Sequence, residues 1–170
     1  MIWELMRITR LSSERDRRAA AALMAASDPW LALGLRKEHC LKTFGVPYRE
    51  TYAAREGGEI AGFVVITMYG TFRGYIQVLF VAPGWRGRGV GEELMAFAEG
   101  KIFARSPNVF LCVSSFNKGA IRFYRRLGYL KAGVIKDFFI KGSDELLLRK
   151  TAGPLREFKP GQKGKTHVKR

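Results

Sequence analysis

The feature that most constrains the fold is a glycine-rich segment placed between an apolar run and an amphipathic one. The segment is Arg86-Gly87-Arg88-Gly89-Val90-Gly91. Residues 78–83 before it are apolar, and residues 90–98 after it have apolar positions at helical spacing. This order predicts a strand that passes through a glycine turn into the start of a helix. Unpaired N–H groups and the positive end of the helix dipole bind anions there, so the segment is a candidate loop for a phosphate or pyrophosphate.

Two common phosphate-binding motifs do not fit this segment. A Walker A loop requires Gly-Lys-Ser/Thr, whereas Val90 and Gly91 stand at that place. A Rossmann fingerprint requires a third glycine three positions after Gly89, where the chain has Glu92. The segment instead resembles the coenzyme A pyrophosphate loop of the GNAT family of N-acetyltransferases, written Q/R-x-x-G-x-G/A, with Arg86, Gly89 and Gly91 at its fixed positions.

A second segment resembles another signature of that family. Residues 117–129 match N-x-x-A-x-x-x-Y-x-x-x-G-F/Y at every fixed position. The resemblance implies that Asn117 hydrogen-bonds the pantetheine and that Tyr124 is the general acid for the coenzyme A thiolate. A phenol suits this role because its ordinary pKa is not far above that of a thiol. The alternative for Tyr124 is a core aromatic on an amphipathic helix.

The resemblance also implies how acetyl-coenzyme A, the expected co-substrate, is held. Backbone groups of the strand before the loop would pair with pantetheine and polarise the acetyl carbonyl, with an N–H near Val81 as the oxyanion donor. A cation of the 117–129 segment, Arg125 or Arg126, would reach the 3′-phosphate, although a solvated helix face is the alternative. The expected coenzyme A contacts are Phe80, Val81, Arg86, Gly87, Arg88, Gly89, Val90, Gly91, Asn117 and Arg126.

The general base is the least defined part of the site. Acetyltransferases of ribosomal-protein N-termini, the subfamily that this chain most resembles, commonly carry Glu in the strand before the Asn motif, where this chain has Cys112. A thiol is a poor substitute for a carboxylate. The other candidates are Glu50, Asp28, Asp137 or a water molecule, and Glu50 is taken as the candidate catalytic base.

The expected function is acetyl-coenzyme A-dependent N-acetylation of a primary amine by direct attack in a ternary complex. The acceptor is expected to be a peptide or protein amine, either an N-terminus or a lysine. Three aromatic residues, Trp30, Tyr69 and Phe72, are candidates for the wall of the acceptor pocket, with ordinary core packing as the alternative. The alternative functions are a non-catalytic coenzyme A sensor and a ribosome- or RNA-associated module.

Composition bears on partners and location. The chain has 30 Lys plus Arg against 15 Asp plus Glu, a net charge of +15, which favours polyanionic ligands such as coenzyme A or nucleic acid. The longest mostly apolar stretch, residues 60–69, is too short to span a membrane, so a cytoplasmic protein is expected, as a monomer or homodimer. Two cysteines and two histidines without ligand spacing predict no metal site.

The resemblance implies the α/β (α+β) acyltransferase fold of the GNAT family, with a mixed, mostly antiparallel sheet of six to seven strands flanked by about four helices. The propensities predict the element order β-α-α-β-β-β-α-β-α-β-β, including a second helix over residues 29–44 and a late strand over residues 130–140. The predicted domain spans residues 1–152. Residues 153–170 are rich in Lys and Arg and are predicted to be a flexible basic tail, with weak nucleic-acid or ribosome contact.

Overall fold

The protein is represented by a computed structural model that describes residues 6–160. In that range, seven strands form a sheet in the order β1-β2-β3-β4-β5-β7-β6. The strands are β1 (Arg7–Arg10), β2 (Arg49–Glu56), β3 (Glu59–Thr67), β4 (Tyr75–Val81), β5 (Asn108–Ser114), β6 (Leu130–Ile135) and β7 (Glu145–Thr151). The helices are α1 (Glu14–Ala25), α2 (Lys37–Leu41), α3 (Val90–Phe103) and α4 (Lys118–Arg126).

The pairing of the strands confirms the mixed, mostly antiparallel sheet. Strands β1 and β2 pair antiparallel, as do β5 with β7 and β6 with β7. Strand β4 pairs parallel with β5 through Tyr75 opposite Phe110 and Ile76 opposite Leu111. The element order is the predicted one. The described part of the chain divides into two units, residues 6–66 with 77–96 and residues 67–76 with 97–160.

The first unit is built around an aromatic core. The ring of Phe63 stacks on Phe80, with centroids 4.9 Å apart, and meets the edge of Phe44 at 5.5 Å. Helix α1 buries Ala20, Ala21 and Met24 in the same core. Aromatic rings in these arrangements add about 0.5–1.5 kcal/mol per pair beyond the area that they bury. The core therefore fixes β3 and the end of β4, the strand that leads into the glycine segment.

Gly62 lets β4 approach β3 closely. A Cβ atom built at this residue would lie 2.6 Å from the carbonyl oxygen of Phe80 and 3.0 Å from Leu94. Real Cβ atoms essentially never come so near to a backbone oxygen. The absence of a side chain at Gly62 thus sets the position of the backbone at Phe80.

The second unit is built around β5, most of whose residues are buried. Its ladder with β7 runs from Asn108 opposite Thr151 to Ser114 opposite Glu145. A polar contact joins α3 to this unit's strands, because Glu99 accepts a hydrogen bond from Tyr129 and pairs with Lys150 at 2.7 Å. The register of the ladder decides which side chains of β5 and β7 are neighbours.

The predicted second helix is wrong over most of its length. Residues 28–34 form turns instead, and the helical segment, α2, is only Lys37–Leu41. Gly34 has a positive φ of 69°, and Arg36 is extended, so a continuous helix cannot pass through them. Cys40, on this short helix, is buried. The sequence signals at Asp28 and Pro29 are those of a helix start, but they begin a turn.

The predicted strand over residues 130–140 is also too long. Strand β6 ends at Ile135, and Asp137 has a φ of +50°, which is left-handed and incompatible with a strand. The Asp137 carboxylate accepts a hydrogen bond from the Gly142 N–H at 2.5 Å, which closes a loop between β6 and β7. This loop exposes the apolar residues Phe138, Phe139 and Ile140.

The predicted boundary between a domain and a tail stays a prediction. Residues 153–160 include a single helical turn, Leu155–Glu157, and residues 161–170 lie outside the described residues. Between residues 6 and 160, no helix has the length and apolar content that crossing a bilayer requires.

Candidate functional site

The glycine segment lies between β4 and α3, as predicted. Strand β4 ends at Val81, a single helical turn covers Pro83–Trp85, and α3 begins at Val90. Gly87 and Gly89 have φ angles of 71° and 81°, in the region that glycine adopts without strain. A Cβ atom at Gly87 would meet nothing within 4 Å. The loop thus opens to space at the amino end of a 14-residue helix.

Two exposed arginines flank these glycines. The Arg86 Nε donates a hydrogen bond to the Val81 carbonyl at 3.1 Å, which ties this arginine to the end of β4. The Arg88 guanidinium lies 5.3 Å from the centroid of the Trp85 ring. Stacking on an indole leaves the guanidinium N–H donors free to turn toward a ligand. The loop therefore combines backbone N–H groups, a helix dipole and two positive charges.

The first unit also holds four predicted site residues outside the loop. Phe80 is buried, and its ring lies 6.0 Å from that of half-buried Trp30. Val81 follows it at the end of β4. Glu50 lies on β2, and its carboxylate accepts a hydrogen bond from the Tyr52 hydroxyl at 2.7 Å. The structure therefore brings Trp30 against the strand end that precedes the loop.

Asn117 and Tyr124 both belong to α4, in the second unit. Asn117 is the N-cap, and its Oδ1 accepts a hydrogen bond from the Ala120 N–H at 3.1 Å. Tyr124 is buried, with its ring 5.3 Å from Phe123 and 5.8 Å from Tyr129. Burial raises the pKa of Tyr124 above its ordinary value, so its hydroxyl stays protonated at neutral pH.

The remaining predicted residues of the second unit are more exposed. Arg126, in the last turn of α4, lies 5.8 Å over the Phe123 ring. Tyr69 is 72% exposed, and Phe72 is half exposed with its ring edge-on to Phe110 at 5.0 Å. Phe72 therefore contacts β5 near its beginning, whereas Tyr69, in the same loop between β3 and β4, is mostly exposed.

A polar cluster that the sequence did not reveal lies on one face of the second unit. It consists of Tyr75 on β4, Cys112 and Ser114 on β5, and Glu145 on β7. The Ser114 hydroxyl donates a hydrogen bond to the Glu145 carboxylate, and the two residues are opposite each other in the ladder. The Tyr75 hydroxyl and the Cys112 thiol are hydrogen-bonded. Glu145 is only 3% exposed.

Burial changes the acidity of the cluster. It raises the pKa of the Tyr75 hydroxyl and of the Cys112 thiol, and the nearby Glu145 raises both further. It also raises the pKa of the Glu145 carboxyl, against the lowering effect of the Ser114 hydrogen bond. The only sequence signal for Glu145 is a carboxylate at the edge of the apolar run Leu146–Leu148, and its partner becomes visible only through the register.

The expectation that the chain has no metal site stays a prediction. Between residues 6 and 160, no group of three or more His, Cys, Asp and Glu side chains is placed to hold a metal ion.

Comparison with known proteins places these features in a family. The model of the Acetyltransferase (GNAT) family matches residues 6–129. The chain is 28% identical over 150 residues to the N-alpha-acetyltransferase RimI of Mycobacterium tuberculosis, covering 86% of this chain and 90% of the relative. It is 30% identical over 138 residues to the blasticidin-S acetyltransferase of Streptomyces morookaense, covering 79% of this chain and 90% of that one.

A solved structure shares the fold. The crystal structure of an aminoglycoside 6′-N-acetyltransferase complexed with coenzyme A matches with a TM-score of 0.71 and 16% identity, over 87% of this chain and 98% of the other. The matched family model includes both the glycine loop and the Asn117–Tyr129 segment. The chain therefore belongs to the GNAT acetyltransferase family and is an N-acetyltransferase.

Proposed function

We propose that the protein transfers the acetyl group of acetyl-coenzyme A to a primary amine of a peptide or protein, by direct attack of the amine within a ternary complex. The observation that carries the proposal is the glycine loop at the start of α3. Its open, positive-φ backbone and two exposed arginines fit a diphosphate, which needs several N–H donors and positive charge at close range.

Each kind of group in the loop would make a different contribution to binding the pyrophosphate. The N–H groups at the start of α3, near Val90 and Gly91, point along the helix axis toward the loop and would bind the pyrophosphate oxygens. Arg86 and Arg88 would add charge-assisted hydrogen bonds, which are roughly twice as strong as neutral ones. Gly87 and Gly89 would allow the backbone to come close, because no side chain stands between it and the phosphates.

Backbone groups at the end of β4 would polarise the acetyl carbonyl. In this proposal the N–H of Val81 donates to the carbonyl oxygen as negative charge develops on it. A fixed N–H donor in a water-poor site stabilises an oxyanion by about 3–4 kcal/mol. The aromatic core around Phe80 and the glycine at position 62 support this role, because they fix the strand backbone.

The N-cap and two residues of α4 would contact the pantetheine, the thiolate and the 3′-phosphate of the coenzyme. The Asn117 Oδ1 caps the helix, which leaves the side-chain NH₂ as the group to donate to pantetheine. The protonated Tyr124 hydroxyl would give its proton to the departing thiolate. Arg126 would contact the 3′-phosphate from the last turn of the helix.

The acceptor class is proposed from the relatives and the charge. The relative from M. tuberculosis is named for N-alpha-acetylation, which is acetylation of an α-amine. The relative from S. morookaense is an antibiotic acetyltransferase, so a small amine is the second candidate. A net charge of +15 disfavours a polycationic small acceptor, because the field of the whole protein repels it. The peptide or protein amine is therefore preferred.

An acceptor panel tests the proposal. Acetyl-coenzyme A is offered with peptides that have a free N-terminus, with N-terminally blocked peptides that contain lysine, and with blasticidin S and an aminoglycoside. We expect thiol release that depends on a peptide, and a peptide mass higher by one acetyl group. Thiol release with an antibiotic alone would refute the peptide assignment, and coenzyme A binding without release for any amine would favour a non-catalytic sensor.

A further inference from the structure

The polar cluster of Tyr75, Cys112, Ser114 and Glu145 is the strongest unassigned feature of the second unit. Buried carboxylates are rare unless they are paired, because moving a charge out of water is costly. Glu145 is nearly inaccessible, yet it accepts its hydrogen bond from a neutral hydroxyl, that of Ser114. Such an arrangement opposes folding when the carboxyl is ionised. Titratable groups perturbed by burial and by specific partners cluster at functional sites.

The cluster lies beside the residue that the proposed function assigns to pantetheine. The Ser114 carbonyl accepts a hydrogen bond from the Asn117 N–H at 2.9 Å. Cys112 and Ser114 are two residues apart on β5, so their side chains lie on the same face of the sheet. Glu145 lies opposite Ser114 on β7 and therefore brings a carboxylate to that face from the neighbouring strand.

We infer that Glu145 is the proton acceptor for the attacking amine and that it acts through the Ser114 hydroxyl. This inference rests on the proposed acetyl transfer. Because burial raises the pKa values of Tyr75 and Cys112, both stay protonated near neutral pH and cannot accept the proton. The raised pKa of Glu145 brings this carboxyl nearer to neutral pH, where a general base works best.

The transfer conserves protons and electron pairs. The amine nitrogen bonds to the acetyl carbon, the carbon–sulfur bond breaks, and the thiolate receives the proton of Tyr124. The proton lost by nitrogen reaches the Ser114 hydroxyl through water, while Ser114 passes its own proton to Glu145. Solvent then removes the proton from Glu145 and restores the one on Tyr124, so the net products are the amide and the free thiol.

The groups that face Glu145 determine its pH response. They are Tyr75 from β4, Cys112 and Ser114 from β5, and the apolar Ile135, which is opposite Glu145 on β6. Further along the same face of β7, Arg149 is directed to Asn108 and Thr151. Ionisation of Glu145 is thus governed by burial and by the Ser114 hydrogen bond.

Glu145→Gln tests the assignment on the full chain. We expect kcat/KM to fall by about 10²–10⁴-fold, the usual contribution of a general base. We also expect loss of the acidic limb of the pH profile, along which wild-type activity rises as Glu145 ionises. Binding of coenzyme A should stay within about twofold of wild type. The matched control is Glu59→Gln, at an exposed glutamate of β3, which should leave the rate and the profile unchanged.

Ser114→Ala gives a readout that a purely structural role would not produce. The Ser114 hydroxyl carries the proton and its hydrogen bond lowers the pKa of Glu145, so Ser114→Ala should lower kcat/KM and move the acidic limb of the remaining activity to higher pH. Glu145→Asp should keep an acidic limb at a reduced rate, and it serves as the second variant if Glu145→Gln does not fold. An unmoved limb in Ser114→Ala, or wild-type activity in Glu145→Gln, would overturn the inference.

Two further outcomes separate a failure of the inference about Glu145 from a failure of the proposed function. If Glu50→Gln removes the acidic limb and Glu145→Gln does not, Glu50 is the base and the inference is wrong. If wild-type protein releases no thiol with any amine of the panel, the proposed function fails, and the variants are then irrelevant to that failure. Activity in wild type with an unaffected Glu145→Gln variant refutes only the inference.

Discussion

Tyr124 and Glu145 are both buried titratable residues, and burial has opposite consequences for them. A raised pKa keeps the Tyr124 phenol protonated and able to donate. A raised pKa makes Glu145 a stronger base once it has ionised. One physical cause, removal from water, therefore suits one residue to give a proton and the other to take one.

Tyr124→Phe is expected to lower kcat/KM by about 10²–10⁴-fold, because the variant loses the hydroxyl and keeps the ring contacts with Phe123 and Tyr129. Coenzyme A binding and the melting temperature should change little. Steady-state kinetics and calorimetry check this result. The same substitution at the exposed Tyr48 is the control, and unchanged turnover in Tyr124→Phe would show that another group protonates the thiolate.

Residues with a motif could be predicted from the sequence, whereas residues that depend on register could not. Asn117 and Tyr124 were singled out by the resemblance of residues 117–129 to a family signature, and their roles stay predictions. Glu145 lies 31 residues beyond Ser114, and only the antiparallel ladder makes them neighbours. The contact of Glu50 with Tyr52 is likewise visible only in the structure, and the role of Glu50 as a base stays a prediction.

At the scale of single elements, α4 depends on its N-cap residue, Asn117, for both stability and the proposed ligand contact. The Asn117 Oδ1 caps the helix, and the NH₂ group is assigned to pantetheine. An aspartate can cap equally well and also interacts favourably with the helix dipole, but it has no NH₂ group. The two roles of this side chain are therefore separable.

Asn117→Asp should keep the melting temperature of the wild type and weaken coenzyme A binding. Asn117→Ala should weaken binding and also cost about 1 kcal/mol of stability, because the cap is lost. Thermal unfolding and a binding titration measure both effects. Wild-type affinity in Asn117→Asp would mean that the amide NH₂ does not contact the coenzyme.

A glycine in β3 provides a second test at this scale. Gly62→Ala should destabilise the protein by about 1–3 kcal/mol, because the new methyl group overlaps the Phe80 carbonyl. Gly100→Ala is the matched control. Gly100 lies within α3 with open space around it, and the change should stabilise the helix by about 1 kcal/mol. Chemical denaturation distinguishes the two, and equal stabilities would contradict the close approach of β3 and β4.

The errors in element prediction have a common cause. Asp28-Pro29 is a sound helix start, yet Gly34 and the extended Arg36 interrupt the helix. The apolar run around Phe138 favours a strand, yet the hydrogen bond from Gly142 to Asp137 closes a loop. In both segments a local backbone geometry prevailed over propensity, and such geometry is not readable from residue types alone.

At the scale of the whole molecule, the element order was predictable because glycine and proline signals separated the segments, whereas the sheet type was implied by the family resemblance. The strand order does not follow from the residue pattern, since pairing between distant strands leaves little local trace. The net charge of +15 is a property of the complete chain. It should act on any polyanionic substrate before contact, as a long-range field.

The charge predicts a salt-dependent encounter with acetyl-coenzyme A. We expect kcat/KM for acetyl-coenzyme A to fall as ionic strength rises toward about 0.15 M, where the screening length is about 8 Å, while kcat at saturation stays constant. Kinetics at several salt concentrations, with sucrose as an uncharged control, provide the measurement. A kcat/KM that does not depend on salt would contradict electrostatic steering.

The burial of the thiols also has a practical consequence at the bench. The chain has two cysteines; Cys40 is buried, Cys112 is half-buried, and burial raises the pKa of each. Since only the thiolate reacts rapidly with disulfide reagents, both should be labelled slowly in the folded protein. A colorimetric assay for released coenzyme A can thus be followed continuously, with little background colour from the catalyst itself.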